Sequence, residues 1–185
     1  MPCLYNMLAR YILYFDIELF KPIEKNEARK KLNLDEKKKI ILFAGAFDNT
    51  VKNPLLAKAA VELLQDITLL ELKGYHREQV ALLFNAVDVA LMTSFTEGSP
   101  QFVKEAMASN CPIVSVQVGD VAEVVGNVVG CYLSSYDPTD VAGKLKLALG
   151  HEKRTEGRKR LLELGLDSAT VAARIKELYE KVGSL

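Results

Sequence analysis

Val87-Asp88-Val89-Ala90-Leu91-Met92-Thr93-Ser94-Phe95-Thr96-Glu97-Gly98-Ser99-Pro100-Gln101-Phe102-Val103-Lys104-Glu105 passes from an apolar run, through a polar turn, into a helical pattern. Val87 to Thr93 has the apolar character of a buried strand bounded by polar residues. Ser99 followed by Pro100 reads as an N-cap with proline at the first helical position. A helix begun there leaves the amides of Gln101 and Phe102 as unpaired donors at the positive end of its dipole. Glu105 then lies one and a half turns down the same helix. A place for an anion and a carboxylate are brought close together.

Outward from this stretch, β-rich runs alternate with helical ones. Strands are expected at Lys39–Gly45, Ile67–Lys73, Val87–Thr93, Pro112–Val116 and Cys131–Ser134. Helices are expected at Pro54–Gln65, Arg77–Ala86, Pro100–Ser109, Asp120–Gly126 and Thr139–Leu149. Alternation of this kind implies a parallel sheet, and continuous apolar runs such as Ile40-Ile41-Leu42-Phe43-Ala44 imply strands covered on both faces. The expected fold is α/β, a Rossmann-like doubly wound parallel sheet. Residues 1–22 read as an N-terminal lead-in that includes the turn-like Phe20-Lys21-Pro22, 23–150 as the α/β domain, and 151–185 as C-terminal helices. A charged helix over Lys25–Asn33 opens the domain. Two further helices are expected at Glu152–Leu164 and Ser168–Val182, with Val171, Ile175, Leu178 and Val182 forming an apolar stripe on the second.

Composition limits the function classes. The 185 residues are 49% hydrophobic, enough for a full core, and 24 Lys and Arg balance 24 Asp and Glu. Zero formal charge provides no global field toward nucleic acid or an anionic membrane, so any phosphate binding must be local. Three cysteines (Cys3, Cys111 and Cys131) without Cys-x-x-Cys spacing suggest a reduced, cytoplasmic protein. Met1 to Phe15 has neither a basic n-region nor a cleavage site, and reads as an edge segment or the scar of a truncation.

In a parallel sheet the ligand site is expected where strand ends lead into helices. Gly45 to Pro54 delivers Lys52 just ahead of a helix, either as a point charge for a diphosphate or as a solvated loop lysine. Gly74 permits close approach of a flat ring that Tyr75 could flank, or the two are a turn residue and a partly buried aromatic. Glu97, at the helix mouth beside Gly98, can meet a polar ligand, and Glu105 can accept two hydroxyl hydrogen bonds at once, as vicinal ribose hydroxyls require. Val118-Gly119-Asp120 reads first as a capped turn. The Gly-x-Gly-x-x-Gly fingerprint, the Gly-Lys-Ser/Thr phosphate loop, a Gly-x-Ser-x-Gly elbow and a His/Cys metal set are all absent from the sequence. No cofactor or metal is expected.

Glu97-Gly98-Ser99-Pro100-Gln101-Phe102-Val103-Lys104-Glu105-Ala106-Met107-Ala108, followed by Cys111-Pro112-Ile113-Val114-Ser115 and Val118-Gly119-Asp120-Val121-Ala122-Glu123, resembles the donor-binding, C-terminal half of the retaining glycosyltransferases of family 4. The resemblance runs from about Asp16 to the terminal helices. It implies one half of a GT-B enzyme that binds a UDP- or GDP-linked sugar, transfers it with retention and without metal, and serves polysaccharide or glycoconjugate assembly. By that resemblance Glu105 holds the ribose and Glu97 faces the donor sugar as the catalytic carboxylate. Gln101 and Phe102 offer amides to the distal phosphate beside Gly98, Lys52 neutralises the diphosphate, and Gly74 with Tyr75 receives the base. Ala46 departs from the pattern, because many members place an arginine directly after the glycine of the first loop.

The acceptor-binding half that the resemblance implies has no counterpart in these residues. Two readings follow: a donor-binding domain that needs an acceptor domain or subunit, or a non-catalytic module with a degenerate glycosyltransferase fold. The terminal apolar stripe would fold onto the domain or pair two copies as a homodimer. The implied location is cytoplasmic, or at the membrane periphery when part of a full enzyme.

Overall fold

The computed structural model describes residues 16–151 and 153–183; the lead-in to Phe15, with Cys3, lies outside the described residues. Five strands, β1 (Lys39–Phe43), β2 (Ile67–Glu71), β3 (Val89–Met92), β4 (Ile113–Val116) and β5 (Cys131–Ser134), form one sheet in the order β2-β1-β3-β4-β5. Every pairing is parallel. Among the described residues eight α-helices surround it: α1 (Lys25–Lys31), α2 (Pro54–Glu62), α3 (Arg77–Ala86), α4 (Gln101–Ala108), α5 (Val121–Val125), α6 (Pro138–Leu149), α7 (Gly157–Glu163) and α8 (Ser168–Gly183). The expected α/β fold is present. β1, β2 and β3 end one or two residues before the expected runs, β3 and β4 begin one or two residues after them, β5 matches, and the helix expected from Glu152 begins at Gly157.

Side chains alternate between two cores, as strands buried on both faces require. Ile40, Leu42, Ala90, Met92 and Ile113 face one core with Phe84, Phe102, Met107 and Leu161. Ile41, Phe43, Val89, Leu91, Val114 and Val116 face the other with Leu56, Ala60, Val141 and Leu145 of α2 and α6. Both of those helices start on a capped proline: Asn53 accepts from the Leu56 amide ahead of Pro54, and Asp137 from the Thr139 amide around Pro138. Phe20 of the lead-in is fully buried in the first core, and Arg158 of α7 donates to the carbonyls of Ile17 and Phe20.

The helix read as merely charged holds a structural knot. Arg29 is 2% exposed and donates to the carbonyls of Ala86, Asp35 and Glu36 and to Asp88. Asp88 also receives Lys25 at 2.6 Å and the Ile40 amide at 2.7 Å. Burial pushes the Asp88 carboxyl upward, but the hydrogen bonds from Lys25 and Ile40 and the nearby cations outweigh it and hold it below the usual carboxylate range. This knot closes the edge where the strands begin, leaving the opposite edge for loops.

Cys111 and Cys131 are buried free thiols, and burial raises both, Cys131 to about 12. They are inert at neutral pH. Among the described residues no helix is long and apolar enough to cross a membrane, and no group of three His, Cys, Asp or Glu could hold a metal ion.

Candidate functional site

Because all strands are parallel, the loops after β1, β3 and β4 gather at one edge, where a cleft of about 500 Å³ opens. It is lined by Ala44, Lys52, Leu72, Glu97, Gly98, Ser99, Pro100, Gln101, Phe102 and Glu105. Six residues picked from the sequence, Lys52, Glu97, Gly98, Gln101, Phe102 and Glu105, therefore share one cavity. Gly74 and Tyr75 do not line it. Gly74 takes φ +80 with open space around it, and Tyr75 packs against the first core. Ala44 and Leu72 were missed; both continue apolar strand runs, and nothing in the sequence separates them from core residues.

Lys52 is placed by the end of β3. The Thr93 hydroxyl donates to the carbonyls of Lys52 and Asn53, at 3.0 and 2.9 Å, and the Phe95 amide donates to the Val51 carbonyl at 3.0 Å. The aliphatic stem of Lys52 crosses Gly45, where a Cβ would lie 2.8 Å from Lys52 Cγ. Only glycine leaves that passage open. The ammonium reaches Glu97 Oε1 at 2.6 Å, with the two side chains 28% and 16% exposed. Cation and carboxylate are thus held at one mouth of the cleft.

The start of α4 corrects one expectation. Pro100, not Ser99, occupies the cap position, and no side chain caps the helix. The Ser99 hydroxyl instead donates to Asp120 Oδ2 and accepts from Lys104 Nζ at 2.6 Å. The first-turn amides of α4 are consequently without a side-chain acceptor on the cleft side. Phe102 sends its ring into the core, edge-on to Phe84 at 5.2 Å, so its backbone alone faces the cleft. The turn is braced by the loop after β4: the Asp120 amide donates to the Gly98 carbonyl at 3.1 Å, and a Cβ on Gly119, at φ +54, would stand 2.2 Å from that same oxygen. Val118-Gly119-Asp120 is more than a capped turn, since it locks the glutamate loop in place.

Glu105 lies deeper. Burial raises its carboxyl to about 7, while the charge of Arg77 pulls the other way. No hydrogen bond or ion pair reaches its oxygens among the described residues. Gln101 Oε1 is buried and has no donor among the described residues. Two acceptors without donors on one cavity wall are poised for a ligand that brings hydroxyl groups.

The family described as Glycosyl transferases group 1 matches residues 35–151. The chain belongs to that family. A D-inositol 3-phosphate glycosyltransferase of Geodermatophilus obscurus is 24% identical over 176 residues, covering 75% of this chain and 39% of the relative. The crystal structure of Anabaena Alr3699/HepE in complex with UDP and glucose superposes with a TM-score of 0.71 at 17% identity, covering 90% of this chain and 55% of that one. The C-terminal domain of a glycosyl transferase group 1 family protein (LpcC) from Francisella tularensis superposes with a TM-score of 0.63 at 18% identity, covering 80% of this chain and 97% of that one. The group 1 chain thus spans about two fifths of the relative's length, and its fold is that of one Rossmann-like half of a GT-B glycosyltransferase.

Proposed function

We propose that the cleft binds a nucleotide-diphosphate sugar and that the chain is the donor half of a retaining, metal-independent glycosyltransferase working with an acceptor-binding domain or subunit. One observation carries this reading. A single cavity joins an uncapped helix N-terminus, a fixed lysine and a half-buried carboxylate that has no donor among the described residues. The vicinal ribose hydroxyls would supply the two donors Glu105 lacks. The amides of Gln101 and Phe102, beside Gly98, would meet the distal phosphate at the positive end of α4, and Lys52 would turn from Glu97 to the diphosphate. Released from Lys52, Glu97 would face the anomeric carbon as the catalytic carboxylate, with leaving-group charge held by the lysine and the helix instead of a metal ion. Gly74 and Tyr75, just beyond Leu72 in sequence, would border the base outside the cavity proper.

The UDP and glucose held by the Anabaena protein support a uridine donor as the first to try, with the guanosine equivalent beside it. Calorimetric titration of the chain with UDP, GDP and their glucose and mannose conjugates tests the reading. Saturable binding lost in Glu105→Ala supports it; no binding by the unaltered chain overturns it. A second reading, a module that binds but does not transfer, is favoured by Ala46, which puts no cation beside the diphosphate. Incubation of the bound conjugate, followed by NMR, separates the two. Slow release of the sugar that disappears in Glu97→Gln supports catalysis, and an intact conjugate favours the binding module.

A further inference from the structure

Lys104 stands where two penalties meet. It is 2% exposed, and burying an ammonium costs heavily unless the charge is paired and hydrogen-bonded. It also sits near the positive end of its own helix, because α-helical side chains lean toward the N-terminus and a residue in the second turn reaches back over the first. An apolar side chain of similar volume would fill this place at less cost. The ammonium instead donates to Ser99 Oγ at 2.6 Å and lies 4.0 Å from Asp120 Oδ2, the atom to which Ser99 itself donates.

Ser99 has the sequence position of a cap. Were Ser99 the cap in place of the extended Pro100, its hydroxyl would accept from the amides two and three residues on, Gln101 and Phe102. Those are the amides that the nucleotide-sugar reading assigns to the distal phosphate. In this chain the hydroxyl is already committed: its proton goes to Asp120 and a lone pair to Lys104.

We propose that Lys104 and Asp120 are positioning residues that hold the Ser99 hydroxyl off its own helix and so keep the Gln101 and Phe102 amides available to the donor phosphate; the phosphate part of this rests on the donor reading above. The same pair fastens the glutamate loop to the loop after β4, whose Asp120 amide holds the Gly98 carbonyl. A serine free to cap would compete with the phosphate for the same N–H groups. The relay removes that competitor.

The test combines Lys104→Met, Asp120→Ala, Ser99→Ala and the double variant Lys104→Met/Ser99→Ala. It reads hydrogen exchange of the Gln101 and Phe102 amides by NMR, together with calorimetric titration by UDP and by uridine. Lys104→Met should slow exchange at one or both amides and weaken UDP by about fivefold, the worth of one cap, while uridine affinity stays constant. Adding Ser99→Ala removes the competing hydroxyl and should restore both fast exchange and UDP affinity, which a merely structural lysine would not do. Asp120→Ala gives an independent route if Lys104→Met does not fold. Unchanged exchange in folded Lys104→Met and Asp120→Ala, or no recovery in the double variant, overturns the relay. Absence of UDP binding in the unaltered chain overturns the donor reading instead, and the exchange measurement then decides the relay alone.

Discussion

Asp88, with its side chain buried just ahead of β3, and Glu105, half-buried on α4, are carboxylates at opposite ends of the strands, and the protein treats them in opposite ways. Asp88, where β3 begins, collects Lys25 at 2.6 Å, Arg29 at 3.0 Å, Lys39 at 3.5 Å and the Ile40 amide at 2.7 Å. Glu105, near the other edge, has only the charge of Arg77 to offset burial. One carboxyl is held below its ordinary range and the other is raised to about 7. A carboxylate given every partner ties the fold together; one denied partners stores an unmet demand that a ligand can satisfy. The edge where strands start is built for stability, and the edge where they end carries the candidate site.

Breaking the paired side should have the largest effect. Asp88→Ala strands Arg29, which is 2% exposed, without its carboxylate and leaves the Ile40 amide without its acceptor. Removing one partner of a buried pair costs about 3–5 kcal/mol. Urea unfolding followed by circular dichroism should show a loss of that size with an unchanged m-value. A loss below about 1 kcal/mol, the range of exposed pairs, would show that Lys25 and Arg29 find other partners and that the contrast with Glu105 is false.

Relieving the unpaired side should stabilise. An acid whose pKa is raised in the folded state contributes stability that is fully present below its unfolded pKa and is lost as pH rises through the folded value. For Glu105 that window runs from its ordinary value of 4.5 to about 7. Glu105→Gln removes the titration, so the variant should gain on the unaltered chain between pH 5 and pH 8, by about 3 kcal/mol at most for such a shift. Parallel unfolding curves at the two pH values check it. A gain that is the same at both would place the unfavourable burial somewhere other than the charge.

The sheet was legible because strands buried on both faces are apolar without interruption, as Ile40 to Ala44 shows, and because Pro54 announces a helix start. The glutamates, Lys52 and the α4 amides were legible as candidates from loop position alone. Less visible were features that depend on partners far along the chain. Ser99 has a strong local preference to cap, and only folding brings Asp120, 21 residues away, to claim its proton. Lys52 and Glu97 are 45 residues apart, so their 2.6 Å contact has no local signal. Arg29 sits in a helix of charged residues with nothing local to set it apart, because the carbonyls it donates to belong to residues 35, 36 and 86. Local propensity placed the elements, and long-range pairing decided what each side chain does.

The smallest expected effect is also the one that links the contrast to function. If Glu105 accepts hydrogen bonds from two hydroxyl groups it must bind as the carboxylate, so donor binding selects the deprotonated form. With the carboxyl raised to about 7 by burial, UDP affinity should climb as pH rises through neutrality and level off above it. Well below that value each unit of pH should cost up to about tenfold in affinity, or about 1.4 kcal/mol. Ionisation of the nucleotide's own phosphate near pH 6 contributes to any such slope, so the slope of the unaltered chain must be compared with that of Glu105→Gln. The difference between the two belongs to Glu105. Titrations at pH 6, 7 and 8 in buffers of unlike ionisation enthalpy would also reveal a proton released on binding near pH 7. Equal slopes in the two proteins, with no released proton, would mean that Glu105 binds nothing through its charge. It would then be a buried acid like any other, and the contrast with Asp88 would be one of packing alone.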